Sequence, residues 1–403
     1  MSPNLSGSDA DRLTTVLRWV HMTHLVDFML IMPLGPQLLR ALGMPPTALG
    51  QLVFAYTLSA GLAGLALGAT IHRISRRKLL LAVYAGFAVA LVATLTAGGF
   101  AGLLLARVVA GACGGVLSSL VHATVADYIV PEGRAAALGK VMTGHALASV
   151  IGVPLGLGIA SALGWRAPFA LLLILVLPLW HVAGRCVPAA AAAPHAPGGA
   201  AAAGPVSARR SLATWSPAFA LTFAVCASAY ALVAYFAPYW LGTVGVGEAG
   251  LPFVYLAAGG LSLYTSPRLG RLADRHGRLK VFICATLVSV LAIALASRSG
   301  PLPPWLAAAL GAAFLVSLYG RWIPALALLS EWPPHSLRGA FMMVNGVVTQ
   351  LSMGVGAMLA GRMISIDGAG RLDGFARVGD AAIAMSLCAI LIAWLLGRHI
   401  ARR

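Results

Sequence analysis

Asp27 and Arg107 are the two charged side chains whose placement points most directly to chemistry. Asp27 lies about ten residues inside a long apolar segment, roughly 15 Å along a helix at 1.5 Å per residue. A charge at that depth costs at least about 2–3 kcal/mol, so it needs a partner or a wet cavity. Arg107 lies about seven residues from the opposite end of another apolar segment, roughly 10 Å deep. The two depths differ by about 5–8 Å, within reach of an Arg side chain if the two helices are neighbours. Two readings are open. In one, Asp27 is a proton site: burial favours the neutral acid, a nearby guanidinium favours the carboxylate, and drawing Arg107 away would favour protonation. In the other, the two form a fixed structural ion pair or a polar helix contact.

Other residues join them as candidates. His24 precedes Asp27 by three residues and is either a proton relay or an interfacial histidine bonded to backbone; His21 is nearer the helix start. Arg107, Gly111, Gly114, Ser118 and His122 fall within an arc of about 80° on one helix, a stripe that can line a pathway or pack against another helix. His145, Ser149, Gly152 and Gly156 make a similar stripe, read first as helix packing, and Pro154 can kink that helix by removing a backbone bond. Tyr230 and Tyr235 lie deep enough to line a cavity, whereas Tyr239 and Trp240 are placed as an outer aromatic belt. Arg321 and Asn345 are further deep polar residues; Arg321 either snorkels or meets an anionic solute, and Gln350 is a weaker candidate.

The elements that must position these residues follow from composition. Of 403 residues, 60% are hydrophobic and only 10% charged, against about 25% charged in a soluble domain. A transmembrane helix needs roughly 20 apolar residues. Apolar runs place spans at 17–40, 48–71, 79–98, 100–127, 136–163, 166–184, 214–240, 250–269, 279–297, 303–329, 338–364 and 376–397. The Ala-, Gly- and Pro-rich stretch from Ala189 to Pro205 carries breakers, so residues 185–213 read as a flexible cytoplasmic linker. The domains expected are therefore a six-helix bundle over 1–184, that linker, and a second bundle over 214–403.

The net charge of +17 sits in the short polar breaks, which is membrane topology rather than a nucleic-acid footprint. With both termini inside, one side holds 20 of the 28 Lys and Arg, the other holds six, and two lie within spans. That asymmetry puts both termini in the cytoplasm. Five cysteines show neither CxxC nor metal-ligand spacing; four read as small hydrophobes and Cys186 as a cytoplasmic-side thiol. The polar first fifteen residues and long apolar stretch do not resemble a cleaved signal peptide.

The halves repeat. The segment from Gly68 through His72, Arg73 and Ser75 to Arg76, Arg77 and Lys78 aligns with that from Gly270 through Asp274, Arg275 and Gly277 to Arg278 and Lys280, an offset of 202. Asp127 precedes Arg134 by seven residues, as Glu331 precedes Arg338, an offset of 204. The expected fold is all-α integral membrane: twelve transmembrane helices as two six-helix bundles related by a pseudo-twofold along the membrane normal, with a cavity between halves.

These residues resemble the major facilitator superfamily. The Gly270, Asp274, Arg275, Gly277, Arg278 and Lys280 pattern looks like its loop signature, and Arg107 with Gly111 looks like its fourth-helix arginine motif. Gly152, Pro154 and Gly156, followed by Gly164, Trp165, Arg166 and Phe169, resemble the fifth-helix region of its drug:proton antiporters, nearest to arabinose-efflux-permease-like members. Two positions depart: His72 and Ser75 stand where the first loop copy would carry an acid and a glycine, and Gly-Val-Pro replaces an adjacent Gly-Pro. The resemblance implies that the first and fourth helices are neighbours, which would bring Arg107 to Asp27. It also implies that Asp274 sits against the start of the fifth span, near residues 136–139, where a helix dipole favours negative charge and helps close the cytoplasmic side.

The function this implies is secondary export of a small molecule (drug, sugar or metabolite) by alternating access in exchange for protons. The alternatives are uptake or facilitated diffusion of an anionic solute through Arg107 and Arg321, and a non-transporting membrane sensor on the same fold. Enzyme chemistry is not expected: there is no HExxH and no paired carboxylate, and no GxxxxGK[ST] for ATP-driven transport. The expected partners are a small-molecule substrate, protons and the lipid bilayer, with no nucleic acid, cofactor or metal, the chain acting as a monomer. The Ala-, Gly- and Arg-rich composition points to a high-GC bacterium and the inner membrane.

Overall fold

The computed structural model describes residues 5, 7–70, 75–130, 133–188, 205–334, 337–367 and 371–400. Apolar runs as long as these have no water to satisfy backbone groups, so they close their hydrogen bonds internally as helices. Among the described residues ten helices are long and apolar enough to cross a membrane, and an eleventh is reached if one bent pair counts as a span. The chain is an all-α integral membrane protein.

Contacts divide it into two units, Met1–Met44 with Ala55–Ala196, and Pro45–Phe54 with Pro197–Arg403. The first contains α1 (Gly7–Leu30), α2 (Gly35–Ala41), most of α3 (Thr47–Thr70), α4 (Arg76–Thr96), α5 (Phe100–Tyr128), α6 (Arg134–Leu147), α7 (Val153–Leu163) and α8 (Ala167–Cys186). The segment expected as one span over 17–40 is instead two helices bent by 61°. Pro33 and Pro36 lack backbone N–H donors and break the ladder there. A π-helical turn, Ala148–Gly152, joins α6 to α7 just before Pro154, a turn type that absorbs an interrupted ladder. Small residues set the close approach of this helix to α1. A Cβ at Gly144, Gly152 or Gly156 would overlap the Arg18 carbonyl, Val26 or Leu30 respectively.

The second unit contains α9 (Pro205–Tyr239), a π-helical turn Trp240–Val244, α10 (Leu251–His276), α11 (Arg278–Ala296), α12 (Pro304–Gly320), α13 (Trp322–Leu329), α14 (Arg338–Gly361) and α15 (Phe375–Ile400). A two-stranded antiparallel ribbon, β1 (Ser365–Ile366) and β2 (Leu372–Asp373), pairs Ser365 with Asp373 and Ile366 with Leu372. The α9 helix packs on α14 and α15, around a core that includes Trp215, Phe282, Trp332 and Phe341. This unit also takes in the start of α3: Tyr235 Oη accepts from Gly50 N–H at 3.0 Å and donates to the Pro46 carbonyl at 3.2 Å.

Two boundaries differ from expectation. The α9 helix begins at Pro205, inside the segment 185–213 expected as linker, and residues 189–204 of that segment lie outside the described residues. The α10 helix runs on to His276, so Gly270, Asp274 and Arg275 are helical rather than loop residues. Gly277, at φ +90°, ends it, in a conformation that only glycine adopts without strain.

Candidate functional site

The α1, α4, α5 and α8 helices of the first unit meet around Asp27. Its carboxylate and the Arg107 guanidinium are both fully buried. Arg107 Nη1 donates to Asp27 Oδ1 and Oδ2 at 3.1 and 3.0 Å, and Nη2 to Oδ1 at 3.1 Å. Nη2 also donates to Thr94 Oγ1 at 2.7 Å, and Thr94 donates onward to the Ala90 carbonyl at 2.9 Å. The guanidinium lies 5.6 Å from the centroid of the Phe169 ring, a cation–π contact. Arg107 Nε is buried with no hydrogen-bond partner among the described residues. The pair is thus held on one side by a hydroxyl and an aromatic face, and its two members come from helices 80 residues apart in sequence.

Along α5, Gly111 and Gly114 are packing residues. A Cβ at Gly111 would overlap the Tyr56 carbonyl, and one at Gly114 would overlap the Tyr56 hydroxyl and stand 3.7 Å from His24 Nδ1. The Tyr56 ring stacks on Phe28 at 4.8 Å between centroids. Ser118, half-buried, has its Oγ 3.5 Å from His24 Nε2, and His122, exposed, bonds through Nδ1 to the Ser118 carbonyl at 2.6 Å. His24 itself is buried and bonded to the His21 ring at 3.1 Å rather than to backbone. His145 is exposed, and Ser149 donates to its carbonyl at 3.1 Å.

The second unit treats its deep polar residues differently. Arg321 is fully buried at the junction of α12 and α13. Its Nη1 donates to Ser386 Oγ at 2.6 Å, and its Nη2 to Ser228 Oγ at 2.8 Å and to the Val225 carbonyl at 3.4 Å. It makes no ion pair among the described residues, and it does not snorkel. Asn345 is buried and its Oδ1 accepts from Thr222 at 2.6 Å, tying α14 to α9. Tyr230 is half-buried and Gln350 likewise.

Two aromatic expectations need correcting, and a third residue is more enclosed than its depth suggested. Tyr235, expected to line a cavity, is fully buried with its hydroxyl engaged by Gly50 and Pro46. Tyr239 and Trp240 form no outer belt. Tyr239 donates to the Ser299 carbonyl at 2.5 Å, Trp240 Nε1 to the Ala307 carbonyl at 3.1 Å, and both rings are buried. Depth along a helix says nothing of which side a ring faces, and these rings carry polar tips that find backbone partners inside the unit.

The repeated polar breaks prove to be joined within each unit, a link the sequence offsets of 202 and 204 hinted at without stating. Arg76 Nε donates to Asp127 Oδ2 at 2.5 Å, with both side chains largely buried. Arg278, at the matching position, pairs with Glu331 and donates to the Ala327 carbonyl at 3.2 Å. Asp274 and Arg275 are exposed. Gly68 ends up in the last turn of α3, while His72 and Arg73 lie outside the described residues.

The sequence profile of the Major Facilitator Superfamily matches residues 19–357, most of the chain. The chain belongs to the major facilitator superfamily. It is a multi-pass membrane transporter. A bacterial homolog to the human lysosomal transporter Spinster, solved in an inward-facing and unoccupied conformation, is similar over 99% of both chains with TM-score 0.75 at 16% identity. The nucleoside transporter NupG is similar over 97% of this chain and 99% of its own with TM-score 0.69 at 13% identity. At such identities the likeness is one of fold.

Proposed function

We propose that this superfamily member exports a small molecule across the bacterial inner membrane by alternating access in exchange for protons, with Asp27 carrying the proton and both termini cytoplasmic. The observation that carries the reading is the fully buried Asp27–Arg107 pair. A carboxylate in that position has two stable arrangements. Ionised, it neutralises Arg107; protonated, it releases the guanidinium to Thr94 and to any new acceptor. Because a ligand or proton shifts a conformational equilibrium only through differential affinity for its states, a pair that exists in one arrangement and loosens in the other supplies the required difference. The fifth-helix likeness to drug:proton antiporters, at Gly152, Pro154 and Gly156, supports export over uptake.

The loop signature adds a gate. In the proposed mechanism Asp274 holds the cytoplasmic side closed more strongly than His72, which offers no negative charge to a helix dipole. Inside-accessibility labelling of Asp274→Asn and His72→Asn checks this: a larger rise in labelling for the first is expected, and equal effects would sink the idea.

A second reading has its own observation. Arg321 is a buried cation without a carboxylate partner among the described residues, which suits an anionic solute. Both readings meet one experiment: proton movement on adding substrate to proteoliposomes, over a panel of drugs, sugars, metabolites and nucleosides. Export in exchange for protons predicts a proton signal of antiport sign that Asp27→Asn loses. Substrate flux with no proton signal, unchanged in Asp27→Asn, would leave a facilitator.

A further inference from the structure

Four histidines from three helices of the first unit gather beside the Asp27–Arg107 pair. His21 and His24 occupy consecutive turns of α1, with His24 Nε2 3.1 Å from His21 Nδ1 and ring centroids 5.0 Å apart, edge to face. The His122 ring of α5 stands 6.0 Å from that of His21, also edge to face. His145 of α6 directly follows Gly144, whose Cβ position lies against the Arg18 carbonyl and Met22 N of α1, so α6 packs on the α1 turn that carries His21. Exposure falls along the series: His122 and His145 are exposed, His21 is 5% exposed, His24 2% and Asp27 0%. Histidines in a membrane segment rarely face hydrocarbon, where their polar nitrogens would find no partner, and a wet path is the environment that satisfies exposed ones.

The His21 and His24 nitrogens are arranged for transfer. A neutral imidazole donates through one nitrogen and accepts through the other, so linked rings pass a proton by exchanging tautomers. The Nδ1 of His122 faces a carbonyl, which can only accept, so Nδ1 carries the hydrogen and Nε2 is left to take a proton from water. At the His21–His24 contact one nitrogen donates and the other accepts, and the roles reverse once a proton passes. From His24 the next acceptor is one helical turn away, about 4.5 Å of rise. There Tyr56 of α3 brings its hydroxyl to Gly114, which His24 Nδ1 also approaches, and Tyr56 lies within electrostatic reach of Asp27 and Arg107. The imidazoles that bear on the charge of His24 are His21 on its own helix, His122 on α5 and His145 on α6, and the Asp27–Arg107 pair begins one turn further along α1. Neighbouring imidazolium cations repel one another and Arg107, so the cluster holds a proton in passage rather than storing several.

We propose that His122, His145, His21 and His24 form the proton entry route to Asp27, running from the exposed rings to the buried ones. The proposal rests on the reading that Asp27 is protonated in the transport cycle. The His21–His24 step runs through a direct hydrogen bond; the His122 to His21 and His24 to Asp27 steps each need a bridging water or, at the second, the Tyr56 hydroxyl, and each step moves one proton from a donor nitrogen to an acceptor lone pair.

The test requires no identified substrate. Purified full-length protein in lipid nanodiscs is followed by time-resolved infrared difference spectroscopy after a pH jump, reading the carboxylic-acid carbonyl band that Asp27→Asn removes. His24→Gln is expected to slow the appearance of that band at least about a hundredfold, the order of a lost proton-transfer group, with little change in its final amplitude. His122→Gln, at an exposed position tolerant of substitution, is expected to slow it less, and added imidazole to restore part of its rate. His181→Gln, on α8, serves as the control. An unchanged rate in both His24→Gln and the double variant His21→Gln/His24→Gln would overturn the route while leaving Asp27 as the proton site. A spectrum in which Asp27→Asn removes no pH-dependent band would overturn the underlying reading, and the route with it.

Discussion

Arg107 and Arg321 are both fully buried guanidinium groups, one in each unit, yet they are satisfied in opposite ways. Arg107 meets a carboxylate, a hydroxyl and an aromatic ring. Arg321 meets two hydroxyls and a carbonyl. A carboxylate partner changes its charge when it binds a proton, whereas serines and a carbonyl do not. Only the first site can therefore convert a proton into a change of packing, and the second holds a permanent positive charge. In the proposed mechanism that difference gives proton response to the first unit and, at most, attraction of an anion to the second.

The largest expected effect compares these two arginines directly. Replacing Arg107 with Met strands the Asp27 carboxylate, which should cost about 3–5 kcal/mol, as for other buried pairs broken on one side. Arg321→Met strands no acid. Ser228 and Ser386 still donate to their own helix carbonyls, Ala224 at 2.6 Å and Ala382 at 2.7 Å. That variant should fall within about 1 kcal/mol of the parent. Equilibrium unfolding in mixed micelles measures both, and equal losses would erase the distinction.

A smaller contrast lies in the two ion pairs that join the repeated breaks. The Arg76–Asp127 side chains are 10% and 7% exposed, those of Arg278–Glu331 32% and 41%. Asp127→Asn should cost about 1.5–3 kcal/mol, the value of a buried hydrogen bond to a charged group. Glu331→Gln should cost about 0.2–1 kcal/mol and less at high salt. Thermal unfolding at two salt concentrations separates them.

The smallest contrast concerns the residues that differ between the breaks, Ser75 and Gly277. Gly277→Ala forces a side chain into φ +90° and should cost about 1–3 kcal/mol. Ser75 caps α4 through a long 3.4 Å bond from Lys78 N–H, so Ser75→Ala should cost about 0.5 kcal/mol, the low end for a lost cap. Melting temperatures of the two variants test the order.

Much of this was readable before any coordinates. Runs of about 20 apolar residues could only be helices, and the placement of Lys and Arg marked the breaks between them. Ser75 stood out as a departure because its repeat partner, Gly277, is a glycine. Asp27 and Arg107 were legible as deep charges, but their meeting needed helix adjacency, which apolar spacing does not encode. The bend after Leu30 was missed because Pro33 and Pro36 sit in an otherwise continuous apolar run. Tyr239 and Trp240 read as an outer belt because burial within a unit and exposure at a membrane surface leave the same trace in an apolar segment. The histidines looked isolated at positions 21, 24, 122 and 145; only packing of α5 and α6 on α1 shows them as one group.

The central claim is that Asp27 couples the transported molecule to the proton gradient. The most direct measurement sets two activities of Asp27→Asn side by side in proteoliposomes: substrate exchange at equal pH on both sides, and accumulation driven by a pH gradient. Exchange that persists while gradient-driven accumulation is lost is the predicted result, since the variant still alternates but no longer carries a proton. Gradient-driven accumulation equal to that of the parent would contradict the account.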